Sequence, residues 1–216
     1  MRAVIFANGA ATSPEIAQSC LQPDAIVIAA DGGARNAWFA GVTPDTVIGD
    51  LDSLPAALRA DLEGRGVRFS IHPPRKDETD LELAIRRALE RGATDIVILS
   101  ALGGRWDQAL ANVLLLTLPA LRERHVPACI VDERQTLRVI TSDTPARIEG
   151  RSGDTLSLIA LGGDASGVTI EGCEYPLTED RLPFGETLGI SNVLREPVAR
   201  VHVKDGIVLA IHIRET

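Results

Sequence analysis

An α/β fold with a largely parallel N-terminal sheet flanked by helices, followed by a small all-β, sandwich-like C-terminal domain, is what the 216-residue sequence predicts. Three observations carry that expectation. Over residues 1 to about 140, short apolar runs alternate with stretches of helical period. Near 141–153 the texture becomes loop-like. From there on the helical period disappears, and short β-type runs take over. The expected domains are therefore 1–140 and 141–216.

In chain order, the strands of the first domain fall at 3–7, 25–30, 46–48, 67–72, 96–101 and 128–131, with helices in the gaps. The clearest helix runs from about Asp80 to Arg91, where Leu81, Ala84, Ile85, Ala88 and Leu89 share one face. Thr79-Asp80-Leu81-Glu82 reads as a capping box at its start and Gly92 as its stop. A second helix follows Asp107, with Leu110, Val113, Leu114 and Leu118 among its apolar positions, and ends before Pro119. The second domain is expected to hold strands at 155–160, 168–170, 188–191, 198–203 and 207–213. Lys204-Asp205-Gly206 supplies a hairpin turn between the last two.

Composition bounds the function. Hydrophobic residues at 45% and charged residues at 24% are ordinary for a globular chain, and 3% aromatic residues imply a core of Ala, Leu, Ile and Val. A formal charge of −8 argues against a nucleic-acid surface, which needs clustered Lys and Arg against phosphate. Cys20, Cys129 and Cys173 are widely spaced and in no metal-ligand pattern, so a reduced, cytoplasmic setting is expected. The apolar opening run is too short for a signal peptide, and no stretch reaches the roughly 18–20 apolar residues of a membrane span.

Chemistry concentrates after the strands. Val47-Ile48-Gly49-Asp50-Leu51-Asp52-Ser53 places two carboxylates one residue apart behind an apolar run. If the strand continues into the pair, Asp50 and Asp52 share a side about 6–7 Å apart and can share one ligand, for which Mg²⁺ is the candidate. The other reading of the same residues is a turn. Asp31-Gly32-Gly33, Lys76-Asp77-Glu78-Thr79-Asp80 and Gly103-Gly104-Arg105-Trp106-Asp107-Gln108 follow three other strands, and carboxyl ends of parallel strands line one crevice. The Gly pairs suit either a phosphate cradle or a strand-to-helix turn. Neither GxGxxG nor GxxxxGK[ST] occurs. Taken together, the carboxylates, the Gly pairs, Lys76 and Arg105 suit a magnesium-bound polyphosphate, whose transfer needs positioning and electrostatics more than a protein nucleophile. The four His residues share no spacing and read as structural or exposed. Trp38 and Cys173 read as packing residues, and Trp106 as either packing or ligand-facing.

These four motifs, in their order and spacing, resemble the thiamine pyrophosphokinase family, as do Gly172-Cys173-Glu174-Tyr175-Pro176-Leu177 and Gly189-Ile190-Ser191-Asn192 further on. The resemblance implies transfer of a pyrophosphoryl group from Mg-ATP to the hydroxyl of thiamine, giving thiamine diphosphate and AMP. It implies an ATP-binding α/β catalytic domain, a thiamine-binding and dimerisation β domain, and a homodimer whose active sites combine the two kinds of domain from different subunits. Carried over by motif, Asp50, Asp52 and Asp80 are the metal and catalytic acids, with Asp107 also catalytic. Asp31, Gly32, Gly33, Lys76, Arg105 and Gln108 lie at ATP, and Tyr175, Ser191 and Asn192 near thiamine. Many members carry Trp where this chain has Tyr175, whose phenol adds a polar contact to the aromatic face. Two competing readings are a haloacid-dehalogenase-type phosphatase, which also uses Asp-x-Asp but with Thr or Val two places later where this chain has Leu54, and a non-catalytic nucleotide or thiamine sensor.

Overall fold

The computed structural model describes residues 1–215. The chain divides into two compact units, Met1–Glu133 and Arg134–Thr216. The first holds strands β1 (Arg2–Phe6), β2 (Ile26–Ala30), β3 (Thr46–Gly49), β4 (Arg68–Ile71), β5 (Asp95–Leu99) and β6 (Ala128–Asp132). Its helices are α1 (Pro14–Cys20), α2 (Gly33–Phe39), α3 (Ala56–Gly64), α4 (Asp80–Glu90), α5 (Trp106–Leu114) and α6 (Pro119–Glu123). All neighbouring strands pair in parallel, in the order β4-β3-β2-β1-β5-β6. The expected parallel sheet is thus present, and helices cover it on both faces. Val4, Phe6, Val27, Val97 and Leu99 pack with residues of α1 and α2, whereas α4 lies against β1, β2 and β3. Covering both faces explains why β1 and β2 read as continuous apolar runs rather than alternating ones.

The strand order reverses beside β1, because β2 to β4 extend to one side of it and β5 and β6 to the other. In open parallel sheets this reversal leaves a crevice outside the carboxyl ends of the strands. It is bounded here by the loops after β1 and β5.

Helix α4 begins and stops where its sequence signals place it. Thr79 Oγ1 accepts the Glu82 N–H at 3.2 Å, and Leu81, Ala84, Ile85, Ala88 and Leu89 are all buried. Only half of the capping box forms, since the Glu82 carboxylate accepts from Arg86 instead. Helix α5 departs from expectation. Its buried residue is Asn112, while Trp106, Leu110 and Leu114, spaced four apart on one face, are 81%, 60% and 54% exposed. Trp38 is not a core residue either; its ring lies on the surface with the Arg65 guanidinium 4.6 Å from its centroid.

The second unit is antiparallel β structure around its own core. It contains β7 (Gln135–Ile140), β8 (Ala146–Glu149), β9 (Thr155–Glu171), β10 (Leu177–Leu182), β11 (Asn192–Val193), β12 (Val198–His202) and β13 (Asp205–Ile213). Strand β9 is one 17-residue strand where two short ones were expected. Its first part pairs with β13 and β11, and its second with β12 and β10. The loop-like stretch at 141–153 contains β8, which pairs with β12. Residues 188–191, expected as a strand, form a turn in which Ser191 takes φ 59°, and the strand starts one residue later at Asn192. Cys173 belongs to the core of this unit, as its packing role predicts. Among the described residues, no helix is long and apolar enough to cross a membrane.

Candidate active site

A cleft of about 690 Å³ opens at the reversal of strand order in the first unit. The loops after β1, β2, β3, β4 and β5 all contribute, and Asp31, Asp50, Lys76, Asp80, Arg105 and Gln108 line it. Three carboxylates meet there: Asp31, Asp50 and Asp80 each offer an oxygen within 4.8 Å of the others. Asp31 leaves β2 with a left-handed φ of 44° and is buried, and its Oδ1 has no hydrogen-bond partner. An unpartnered carboxylate oxygen at that depth is costly without a cation or water beside it. Asp80 opens α4, and its Oδ1 lies 2.9 Å from Lys76 Nζ, an ion pair without hydrogen-bond angles. Burial raises the Asp80 pKa most, and the Asp31 and Asp50 charges add to the rise, while Lys76 opposes it. Gly49 makes the convergence possible. A Cβ at this residue, whose φ is +155°, would stand 2.8 Å from Asp31 Cβ and 3.2 Å from Asp80 Cγ.

Asp52 stands apart from this cluster. Strand β3 ends at Gly49, and Leu51 takes a left-handed φ of 65°, so the chain turns between the two acids instead of carrying them along one strand face. The Asp52 N–H donates to Asp50 Oδ1 at 3.2 Å, the side chain is exposed, and Ser53 Oγ donates to it at 3.0 Å. The turn reading of this stretch is the one that the backbone follows, and Asp50 without Asp52 joins the acidic cluster.

At the opposite wall, Arg105 and Asp107 form an exposed pair, Nε to Oδ1 at 3.1 Å and a terminal nitrogen to Oδ2 at 2.5 Å. That pairing, joined by the Gln108 N–H, holds the Asp107 carboxyl below its ordinary pKa. Asp107 itself does not line the cleft. Nor do Gly32 and Gly33, which serve packing: a Cβ on Gly33 would lie 2.0 Å from the Phe6 carbonyl oxygen, so its absence lets α2 start against β1. Glu78, within the Lys76–Asp80 motif, also lines the cleft, as do Asn8, Gly9 and Asn112, which the sequence reading does not single out. Asn8-Gly9 directly after the first strand was the available signal, but its meaning depends on β1 being the strand where the order reverses.

In the second unit Tyr175 and Asn192 come together. The Asn192 side chain accepts the Tyr175 N–H at 3.0 Å and donates to the Tyr175 carbonyl at 2.7 Å, clamping that backbone while the ring stays exposed. Ser191 precedes it, its N–H held by Ser157 Oγ at 3.0 Å.

Fold and cleft together define an α/β protein with a carboxylate cluster suited to a hard cation and basic residues suited to phosphate, at the carboxyl edge of a parallel sheet. Comparison with known proteins makes the class specific. Residues 17–129 match the thiamin pyrophosphokinase catalytic domain, and residues 143–208 match the thiamin pyrophosphokinase vitamin B1 binding domain. The thiamine pyrophosphokinase of Bacillus subtilis (strain 168) is 28% identical over 184 residues, covering 85% of either chain. The crystal structure of thiamine pyrophosphokinase from Bacillus subtilis superposes with a TM-score of 0.89 at 25% identity over 100% of both chains. That from Geobacillus thermodenitrificans gives 0.85 at 27% identity over 100% of this chain and 99% of the other. The thiamin pyrophosphokinase of Candida albicans shares the fold, with a TM-score of 0.80 at 17% identity over 98% of this chain and 88% of the other. The chain belongs to the thiamin pyrophosphokinase family.

Proposed function

We propose that this protein transfers a pyrophosphoryl group from Mg-ATP to the hydroxyl of thiamine in the cleft of the first unit, giving thiamine diphosphate and AMP. Family membership carries the reaction, and the Asp31–Asp50–Asp80 cluster carries its placement. In this reaction the thiamine hydroxyl oxygen bonds to the β-phosphorus of ATP and gives up its proton to solvent, the bond from that phosphorus to the oxygen bridging to the α-phosphate breaks, and AMP leaves with that oxygen. The phosphatase and sensor readings are not favoured beside matches to both family domains.

The donor set fits Mg²⁺, since all three groups are carboxylates and Asp31 Oδ1 lacks a partner. Asp31, Asp50 and Asp80 would hold the ion, which when bound neutralises and aligns phosphate oxygens. Asp52, on the exposed turn beside Asp50, is assigned to the metal and phosphate side as its motif implies. Lys76 and Arg105 face the phosphates, with Gln108 beside them on the first turn of α5. Asp107 orients Arg105 through their paired contacts. Gly32 and Gly33 place α2 next to Asp31. On the thiamine side, the exposed Tyr175 ring offers an aromatic face to the cationic thiazolium, steadied by Asn192, with Ser191 adjacent.

Division of labour follows the two family domains, with ATP in the first unit and thiamine in the second, and dimerisation is assigned to the second unit together with the exposed row on α5. We read the second unit as sandwich-like, with β9 passing from one layer to the other. A homodimer with shared sites is supported by two exposed apolar groups, Trp106, Leu110 and Leu114 on α5 and Tyr175, Phe184, Leu188 and Ile190 in the second unit. A cytoplasmic setting accords with the scattered cysteines. Incubation of the purified protein with ATP, Mg²⁺ and thiamine should yield AMP and thiamine diphosphate in equal amounts; ATP bound without AMP formation would defeat the enzyme reading.

A further inference from the structure

Two loops contribute to the lining of the cleft, one after β1 through residues 7–10 and one after β5 through residues 101 and 103–105. They are stitched by backbone bonds, Gly9 N–H to the Ser100 carbonyl at 2.7 Å and Ala10 N–H to the Leu102 carbonyl at 2.8 Å. Behind that seam sits a buried hydroxyl pair. Thr12 and Ser100 are each 1% exposed. Thr12 N–H donates to Ser100 Oγ at 3.2 Å, Ser100 N–H donates to Thr12 Oγ1 at 3.1 Å, and the two hydroxyls are 3.2 Å apart. Each hydroxyl thus satisfies the other residue's backbone donor across 88 positions of sequence. Ser100 holds a left-handed φ of 55°, the only non-glycine residue among those described to do so at the carboxyl end of β5. Such a conformation persists where its surroundings over-determine it. Asn112, from α5, donates to the neighbouring Ala101 carbonyl at 2.8 Å, so the carbonyls of this seam are engaged while the Gly103-Gly104-Arg105 segment is left to face the cleft.

We propose that Thr12 and Ser100 are positioning residues for nucleotide binding: their reciprocal hydroxyl clasp sets the Gly103-Gly104-Arg105 segment against the phosphates of ATP. The proposal rests on the cleft being the nucleotide site. Neither residue lines the cleft, so each acts through the loop it fixes. A small displacement of a positioning loop is costly to a reaction that depends on alignment.

The decisive variants are Ser100→Gly and Thr12→Val, with Thr12→Ser as the conservative control. Glycine accepts a left-handed φ without strain, which offsets the lost hydroxyl and keeps Ser100→Gly folded. Affinity for a non-hydrolysable ATP analogue with Mg²⁺, measured by calorimetry, should fall roughly tenfold in both disruptive variants, and KM for ATP should rise in step. KM for thiamine should stay within about twofold, and Thr12→Ser should match the wild type. Unchanged analogue affinity in Ser100→Gly and Thr12→Val, whatever happens to thermal stability, overturns the proposal, as does an equal weakening of both substrates. Failure of the wild type to form AMP would instead defeat the proposed reaction, leaving the analogue affinities to decide the role of the clasp.

Discussion

Asp31 is the residue on which the carboxylate cluster turns. Its neighbour in sequence, Ala30, still pairs with Ile48 of β3, and its own N–H reaches the Ile48 carbonyl at 2.8 Å, so the backbone is anchored while the left-handed φ swings the side chain toward Asp50 and Asp80. Motif order alone assigned this residue to ATP and gave the metal to Asp50, Asp52 and Asp80. The left-handed turns at Asp31 and Leu51 bring Asp31 inward and leave Asp52 on the exposed turn, and such backbone reversals carry no periodic signal. If the cluster binds Mg²⁺, millimolar Mg²⁺ should raise the thermal midpoint of the wild type by a few degrees through mass action. Asp31→Asn should remove that rise and lower turnover by about 10²-fold, in the range expected when one preorganised electrostatic contact is lost. An Asp31→Asn protein with the same Mg²⁺-dependent midpoint as the wild type would take Asp31 out of the ligand set.

At the scale of elements, periodic patterns were legible and contextual ones were not. Helix α4 could be read from its sequence because cap, apolar face and stop all lie within it. Helix α5 could be placed but its buried face could not, because Leu110 and Leu114 look like core positions yet are exposed, and burial depends on what the fold places opposite. Strand β9 escaped as a single element because Gly162, Gly163 and Gly167 interrupt its apolar runs, whereas pairing with both β13 and β12 holds it extended. The end of β13 depends on a buried pair with no sequence signature. His212 Nε2 lies 2.9 Å from Asp154 Oδ2, which also accepts the Arg151 N–H, while Asp154 Oδ1 accepts the Glu215 N–H. Burial pushes the Asp154 pKa up, but these hydrogen bonds outweigh it and hold the value below the ordinary 3.8. As pH falls, the unfolded chain takes up this proton before the folded one. The stabilisation is complete above the unfolded value and is lost as pH falls through the folded one. Asp154→Asn should therefore flatten the acid limb of a stability-against-pH profile, measured by denaturant unfolding from neutral pH down to about pH 3. An unaltered slope would show that other carboxylates govern that limb.

For the whole molecule, the reading of a homodimer makes the apolar row on α5 an interface. Replacing both Leu110 and Leu114 with Glu places two charges where Trp106, Leu110 and Leu114 are exposed in the single chain. The variant should elute as a monomer on size-exclusion chromatography and lose turnover while retaining its far-ultraviolet circular dichroism. A monomeric protein with full activity would contradict shared active sites. The sequence by itself determined the parallel α/β first unit, the change to β structure beyond it, the helix that carries Asp80, and the family, because apolar period, caps and ordered motifs are local properties of the chain. Only the tertiary structure decided that β1 is the strand beside which the order reverses, that Asp31 joins Asp50 and Asp80, and that Thr12 meets Ser100. Those are meetings between distant segments, created by strand pairing and left-handed turns, and no local pattern encodes them.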